Sequence, residues 1–129
     1  VLVVEDNPVN QLIAVRLLER EACTVRVAEN GLEALAELER STFDLVFMDC
    51  HMPVMDGFEA TRRIRSAAGP HHAVPIIALT ASVMEEERQL CRDAGMDEVL
   101  AKPICRPTLI GLLQRHRTRV NAQPSSVAV

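Results

Sequence analysis

The sequence predicts an α/β fold in which helices cover both faces of a five-stranded parallel sheet. Three observations support this prediction: short apolar segments recur along the chain, longer amphipathic segments separate them, and the apolar segments are continuous rather than alternating. Continuous apolar strands are buried on both faces, which is typical of parallel sheets. Strands and helices that alternate along the chain connect by right-handed crossovers into a doubly wound fold, for which we expect the strand order 2-1-3-4-5.

The predicted strands are short runs of mostly apolar residues, many of them β-branched. In chain order they are Val1–Val4, Thr24–Ala28, Leu45–Met48, Val74–Leu79 and Val99–Ala101. The third run leads directly into an acid, Asp49, and the chain then passes through Pro53 and Gly57. Proline and glycine favour a turn, so we expect them to shape the loop that leads away from Asp49.

The first three helices are predicted from apolar residues at helical spacing. Pro8 suits the first position of a helix, and Asn30 can cap the next one. The apolar positions that define the three helices are Leu12, Ile13, Leu17 and Leu18 in the first, Leu32, Leu35 and Leu38 in the second, and Phe58, Ala60, Ile64 and Ala67 in the third.

Signals at the helix ends predict the last two helices. The fourth begins near Val83, with acids at residues 85–87 that favour a helix N-terminus, and it ends at Gly95. The fifth extends from about Arg106 to Arg117.

Length and composition indicate one soluble domain. The 129 residues suffice for one core and are too few for two ordinary domains. We predict a domain over residues 1–119 and a linker or tail over residues 120–129, where both periodicity and charge are lost. Because the chain opens on Val1 inside a predicted strand, we expect it to be a piece of a longer protein.

Charge and cysteine spacing argue against several kinds of site. The net charge of -4 disfavours direct binding to nucleic acid, and the apolar runs are far shorter than the ~20 residues of a membrane span. Cys23, Cys50, Cys91 and Cys105 lack the paired spacing of a zinc or redox motif, so we expect reduced, buried, structural thiols.

Polar residues follow four of the five predicted strands. Glu5 and Asp6 follow the first strand, Asp49 the third, Thr80 the fourth and Lys102 the fifth. Because the carboxyl ends of parallel strands meet at one edge of the sheet, where open α/β sheets bind ligands, we expect these side chains to converge. Each of them alone is more commonly a helix cap or a surface charge, but together they predict a functional site.

The chemistry of this set favours phosphoryl transfer. Three carboxylates in one pocket repel one another unless one is protonated or a cation compensates, and Mg²⁺, or alternatively Mn²⁺, prefers oxygen ligands. Such an ion also neutralises an incoming phosphoryl group, which allows an anionic carboxylate to attack phosphorus. We predict Asp49 as the nucleophile, with Lys102 pairing with the acyl phosphate and Thr80 donating a hydrogen bond to it.

These residues lie within four longer segments, "VLVVEDNPVNQ", "VFMDCHMPVMDGFEATRRIR", "IIALTAS" and "AGMDEVLAKPI". The segments resemble, in order and spacing, the signature blocks of response-regulator receiver domains, the phosphoacceptor modules of two-component signalling. The resemblance extends from Val1 to about Arg117. It implies a flavodoxin-like fold of strand order 2-1-3-4-5 and phosphoryl transfer from a phosphohistidine to Asp49.

The resemblance also implies a set of metal ligands. Asp6 and Asp49 would bind Mg²⁺ together with the main-chain carbonyl of His51, and Glu5 would act largely through a bound water. The ring of His51 is expected to overhang the phosphoacceptor pocket and to modulate the access of water.

For the remaining positions, the resemblance implies that Lys102 and Thr80 contact the phosphoryl group and that the peptide bond between Lys102 and Pro103 is cis. One residue departs from the family pattern. Val99 stands where the family commonly has a Tyr or Phe whose ring turns inward as the threonine moves towards the phosphate. A stiff, smaller β-branched side chain cannot repeat that rotation, so we expect the output to travel through Thr80, Ala81 and the start of the fourth helix.

The segments "DNPVNQ" and "ASVMEEERQLCRDAGMDEVLAKPI" resemble receivers of hybrid sensor histidine kinases more than receivers joined to DNA-binding output domains. The implied partner is a histidine kinase or histidine phosphotransfer domain that docks near Val9 and Ile13. We expect a cytoplasmic monomer or weak dimer with no membrane contact of its own, although the parent protein could be membrane-anchored.

Two alternatives to a phosphorelay receiver stay open. A magnesium-dependent aspartyl-phosphate phosphatase usually has an Asp-x-Asp pair after its first strand, which "VVEDNP" lacks. A degenerate receiver that serves only as a binding module would not need all five polar residues. In the favoured interpretation, the domain catalyses its own phosphorylation and dephosphorylation and is not a turnover enzyme.

Overall fold

The computed structural model describes residues 1–67 and 70–121 and contains one five-stranded parallel sheet. Its strands are β1 (Leu2–Val4), β2 (Arg26–Ala28), β3 (Val46–Asp49), β4 (Ile76–Thr80) and β5 (Glu98–Ala101). They are arranged in the order β2-β1-β3-β4-β5, and each neighbouring pair is parallel. The predicted fold class and strand order are therefore confirmed.

Five α-helices connect or follow the strands. They are α1 (Pro8–Arg20), α2 (Gly31–Arg40), α3 (Gly57–Ser66), α4 (Glu85–Ala94) and α5 (Arg106–Asn121), and a short 3-10 turn spans Pro70–Ala73. The last helix continues past the predicted end at Arg117. Of the predicted tail, residues 120 and 121 are thus helical, and residues 122–129 lie outside the described residues.

Side chains cap the first three helices. Asn30 accepts a backbone N–H group at the start of α2 as predicted, and Asn7 and Asp56, which were not predicted as caps, do the same for α1 and α3. Gly95 ends α4 in the left-handed conformation, with φ of 106°, which glycine adopts without strain. The start of α4 has no side-chain cap, and the helix begins at Glu85, two residues later than Val83.

Two apolar layers, one on each face of the sheet, form the core. On one face, alternate strand residues such as Val3 and Phe47 pack against α1 and α5. On the other face, their neighbours such as Val4 and Met48 pack against α2, α3 and α4. Because successive strand residues point to opposite faces, the continuous apolar runs fill both layers.

Burial differs among the apolar residues of α1 and among the cysteines. In α1, Leu18 is buried, whereas Leu12 and Ile13 are exposed. Cys50 and Cys91 are buried as predicted, whereas Cys105 is exposed because it precedes α5 in a surface loop. Within the described parts of the chain, no helix combines the length and the apolar character that crossing a membrane requires.

Candidate functional site

Four strand ends deliver polar side chains to the carboxyl edge of the sheet. Glu5 follows β1, Asp49 is the last residue of β3, Thr80 is the last residue of β4, and Lys102 follows β5. Glu5, Asp49 and Thr80 are each 3% exposed or less, whereas Asp6 is exposed. The five residues predicted from the sequence therefore lie at the same edge, although they are distant along the chain.

Lys102 bridges two of the buried carboxylates. Its Nζ lies 2.8 Å from Oδ2 of Asp49 and 3.0 Å from Oε1 of Glu5. Burial alone would lower the pKa of Lys102, but the hydrogen bonds to Asp49 and Glu5 outweigh burial and raise that pKa above its usual value. The ammonium group is therefore charged at neutral pH and offsets part of the negative charge of the site.

Glu5, Asp6 and Asp49 form a cluster in which one carboxylate oxygen of each lies within 4.8 Å of the others. Three carboxylates and the single ammonium of Lys102 leave a formal charge of -2, which a divalent cation would balance. The donors are all oxygens, and the exposed Asp6 leaves one side of the cluster open to solvent. The cluster therefore fits a hard ion such as Mg²⁺.

The loop between β3 and α3 places the backbone around Asp49. The N–H of His51 donates to Oδ1 of Asp49 over 3.3 Å, and the N–H of Gly57 donates to the carbonyl of Cys50 over 3.0 Å. A methyl carbon placed on Gly57 would lie 2.2 Å from the carbonyl oxygen of Asp49. The start of α3 therefore packs directly against the backbone of Asp49, and only a glycine permits that approach.

Pro53 belongs to a tight turn in the same loop. Its carbonyl accepts the N–H of Met55 over 2.7 Å, and Val54 between them has a φ of 69° and is 75% exposed. This is the geometry of a γ-turn, which is strained for a β-branched residue. The carbonyl of Met55 in turn accepts the N–H of Gly31, so the loop is also tied to the start of α2.

Thr80 and Lys102 are held next to each other by the backbone. The N–H of Lys102 donates to the carbonyl of Thr80 over 2.8 Å, and the Thr80 hydroxyl accepts the N–H of Ser82. The peptide bond between Lys102 and Pro103 is cis. Val99 is partly buried against the layer that contains α2, α3 and α4.

The ring of His51 points to a partner that sequence reasoning missed. Its Nε2 lies 2.8 Å from Oε1 of Glu87 on α4, and its edge packs on Phe58 of α3, with ring centroids 5.7 Å apart. Glu87 was assigned only to the acidic first turn of a helix. The sequence contains no local pattern that pairs it with a residue 36 positions away.

The start of α1 presents apolar side chains beside the acid cluster. Val9 and Ile13 are 65% and 40% exposed. A crevice between α1 and the loop after β5 is lined by Ile13 and Asn10 on one side and by Lys102 and Pro103 on the other. The predicted docking surface is thus continuous with the buried site.

Comparisons with known proteins agree with this geometry. The family model described as "Response regulator receiver domain" matches residues 1–114. In an alignment of 131 positions that covers 98% of this chain and 8% of the relative, the chain is 37% identical to Hybrid signal transduction histidine kinase L of Dictyostelium discoideum. Over 106 residues, 81% of this chain and 12% of the relative, it is 43% identical to Sensor histidine kinase GacS of Pseudomonas protegens. It is also 41% identical, over 99% of its length and 17% of the relative, to Transcription factor SKN7 of Chaetomium thermophilum. The chain therefore spans only a small part of each of these relatives.

Solved structures show the same fold at high similarity. The receiver domain of sensor histidine kinase PA1611 from Pseudomonas aeruginosa, which holds a magnesium ion in its active site cleft, superposes with a TM-score of 0.81 at 44% identity. That match covers 88% of this chain and 93% of the other. Full-length ShkA in complex with AMPPNP superposes with a TM-score of 0.78 at 41% identity, covering 90% of this chain and 23% of the other.

Proposed function

The chain belongs to the family of response regulator receiver domains, and on that premise we propose that Asp49 accepts a phosphoryl group from a phosphohistidine of a partner protein. The observation that carries this proposal is the contact between Asp49 and Lys102 inside a cluster of acids at the carboxyl edge of the sheet. A carboxylate placed beside a cation and close to further acids is suited to receive a phosphoryl group rather than to donate one.

The transfer is a substitution at phosphorus. A carboxylate oxygen of Asp49 forms the new bond to phosphorus, the bond between phosphorus and the imidazole nitrogen of the donor breaks, and that nitrogen keeps the electron pair. Lys102, 2.8 Å from Oδ2 of Asp49, is placed to pair with the transferred group, and the hydroxyl of Thr80 donates a hydrogen bond to it. The domain thus catalyses its own modification, and we assign it no separate turnover substrate.

We assign the metal ligands to Asp6, Asp49 and the main-chain carbonyl of His51. We assign Glu5 a role through a bound water, as the family resemblance implies, and its Oε1 pairs with Lys102 at 3.0 Å. When bound, Mg²⁺ supplies positive charge to the phosphoryl oxygens. A relative at 44% identity holds Mg²⁺ in its active site cleft, which favours Mg²⁺ over Mn²⁺.

We propose that this receiver, over residues 1–119, belongs to a hybrid sensor histidine kinase. We also propose that it works in the cytoplasm, where ATP is available as the phosphoryl donor of the kinase. Similarity to hybrid kinases such as Hybrid signal transduction histidine kinase L supports this assignment, and similarity to Transcription factor SKN7 makes a regulator with a DNA-binding domain the alternative. Its partner is a histidine kinase or phosphotransfer domain that docks on Val9 and Ile13, whose exposed apolar side chains lie beside the site. With a net charge of -4, the domain itself is assigned no contact with nucleic acid, and we propose a monomer or weak dimer.

The output of phosphorylation is proposed to pass through Thr80, Ala81 and the start of α4, because Val99 cannot act as an aromatic switch. Amide chemical shifts of the free protein and of the protein treated with beryllofluoride and Mg²⁺ test this route. We expect the largest changes from Thr80 into α4. Changes centred on Val99 and α5 would contradict the proposal.

Acetyl phosphate provides a direct test of the phosphoacceptor. With Mg²⁺, the wild-type protein should gain one phosphoryl group by mass spectrometry, and Asp49→Ala should gain none. Asp44→Ala is the matched control, because this exposed acid lies just before β3, at the opposite edge of the sheet, and should leave the modification intact. A wild-type protein that gains no phosphoryl group would overturn the proposal, and continuous phosphate release from organic esters would favour a phosphatase.

A further inference from the structure

Helix α4 contacts the two residues that directly follow Asp49. Oε1 of Glu87 lies 2.8 Å from Nε2 of His51, and Sγ of Cys91 lies 3.8 Å from Sγ of Cys50. Glu87 and Cys91 are four residues apart, so they lie on one face of the helix. That face is therefore directed at the phosphoacceptor loop.

Glu87 is an acid turned inward on a helix whose other N-terminal acids face solvent. Its side chain is 16% exposed, whereas Glu85 and Glu86 are exposed. A carboxylate withdrawn from water is costly unless it is hydrogen-bonded, and its buried neighbours Cys50 and Cys91 are poor donors. An interaction with the helix dipole does not explain the inward direction, because an exposed acid in the same turn provides it equally.

The hydrogen bond with His51 is what compensates this burial. The imidazole is held on one side by Glu87 and on the other by the edge contact with Phe58, at an interplanar angle of 77°. The main-chain N–H of His51 donates to Oδ1 of Asp49. Two contacts, one hydrogen bond and one ring contact, restrict the side chain of His51 and so the main chain of that residue, which adjoins the phosphoacceptor.

We propose that Glu87 is a positioning residue for the metal and phosphoryl site: it fixes His51, and through His51 the main-chain N–H that donates to Asp49 and the main-chain carbonyl that we assign as a metal ligand. This inference rests on the proposed function, since it concerns the same site. It assigns to α4 a direct mechanical connection to the phosphoacceptor loop, which does not pass through Val99.

The affinity for Mg²⁺, measured by isothermal titration calorimetry, tests the assignment without any phosphoryl transfer. Glu87→Ala should raise the Kd for Mg²⁺ roughly three- to tenfold. This is the range expected when a hydrogen bond to a carboxylate is lost at a partly exposed position and the loop that carries the metal ligands becomes less ordered. The separate variant Glu87→Gln should bind Mg²⁺ with a Kd within about twofold of that of the wild type, because the amide oxygen still accepts a hydrogen bond from an imidazole N–H. Glu86→Ala removes the same charge one residue away and should leave Kd nearly unchanged.

A double-mutant cycle shows whether Glu87 acts through His51. His51→Ala keeps the main-chain carbonyl but removes the ring, so it should raise Kd by the same factor as Glu87→Ala, and the double variant should show no further increase. Should Glu87→Ala fail to fold, the values for Glu87→Gln and His51→Ala still decide the question, because the exposed ring of His51 can be removed without a cavity.

The outcomes separate this inference from the proposed function. A wild-type protein that acetyl phosphate does not modify would remove the proposed function itself. If the wild type is modified but Glu87→Ala or His51→Ala binds Mg²⁺ as wild type does, or if the effects of the two changes add in the double variant, the positioning role of Glu87 is wrong.

Discussion

Replacing Gly57 with alanine tests how closely α3 packs against the phosphoacceptor strand. The new methyl carbon would lie 2.2 Å from the carbonyl oxygen of Asp49 and 3.0 Å from Cγ of Met48. Real side-chain carbons do not approach a backbone oxygen to less than about 3.0 Å, so the start of α3 or the end of β3 must move by at least roughly 0.8 Å. The obstacle is backbone, which cannot rotate away as a flexible side chain does.

The expected cost follows from the size of this displacement. Overpacking of this kind costs about 1–3 kcal/mol, and the better helix propensity of alanine offsets part of it, since Gly57 is the first residue of α3. We therefore expect Gly57→Ala to lower the free energy of unfolding by about 1–2 kcal/mol, which corresponds to a fall in Tm of roughly 3–10 °C for a domain of this size. Because the displaced atoms belong to Asp49, phosphorylation by acetyl phosphate should also slow.

Gly111 in α5 is the matched control, because the same substitution there meets no obstacle. The nearest atom to its added methyl carbon is Nη1 of Arg115, at 3.8 Å. Gly111→Ala should therefore raise the free energy of unfolding by about 0.5–1 kcal/mol through helix propensity and a less flexible unfolded chain. Thermal and urea melts of both variants provide the assay. A Tm for Gly57→Ala that equals or exceeds that of wild type would refute the reasoning.

Three other changes probe metal binding, backbone strain and acid stability. At a tenfold excess over Kd, Mg²⁺ should stabilise the wild type by about 1.4 kcal/mol, and Asp6→Asn should lose most of this gain in thermal melts; full retention would exclude Asp6 as a ligand. Val54→Gly should raise the free energy of unfolding by about 0.5–1 kcal/mol and so raise the urea midpoint, because glycine adopts a φ of 69° without the steric penalty of valine. The greater freedom of glycine in the unfolded chain offsets part of this gain. A lower urea midpoint would contradict the expectation. Burial alone would raise the pKa of Glu98, but hydrogen bonds from Arg115 and His116 outweigh it and hold that pKa below its usual 4.5. The resulting stabilisation is present above pH 4.5 and is lost as the pH falls through the folded-state pKa of Glu98. Glu98→Gln should therefore lose less stability below pH 4.5 than the wild type does. The same dependence of stability on pH in both proteins would count against this role of Glu98.

The fold could be predicted from the sequence because its determinants are local. A continuous apolar run followed by a turn signal specifies a buried parallel strand, and the residue after the run necessarily lies at the carboxyl edge. The predicted ends of the strands were less accurate where hydrogen bonding to a neighbouring strand decides them. The edge strand β2, for instance, begins at Arg26 rather than Thr24, because β1 pairs with only three of its residues.

The site could be predicted only as far as its members follow strand ends. Asp49 and Lys102 were placed at one edge from their positions alone, but the shared contact of Lys102 with Glu5 depends on side-chain packing across β1, β3 and β5. The partner of His51 was not predictable, since Glu87 lies on a helix whose rotation about its axis is set by the core beneath it.

The sequence alone therefore determined the alternation of elements and the set of polar residues delivered to one edge, whereas the strand order was chosen among doubly wound orders and was implied by the family resemblance. Hydrophobic periodicity and strand-end position are properties of neighbouring residues, which makes them readable along the chain. Only the tertiary structure decided which charges pair, which acid of α4 turns inward and which apolar residues of α1 stay exposed. Those outcomes depend on distances of a few ångströms between segments that are far apart in sequence, and these distances exist only once both apolar layers have packed.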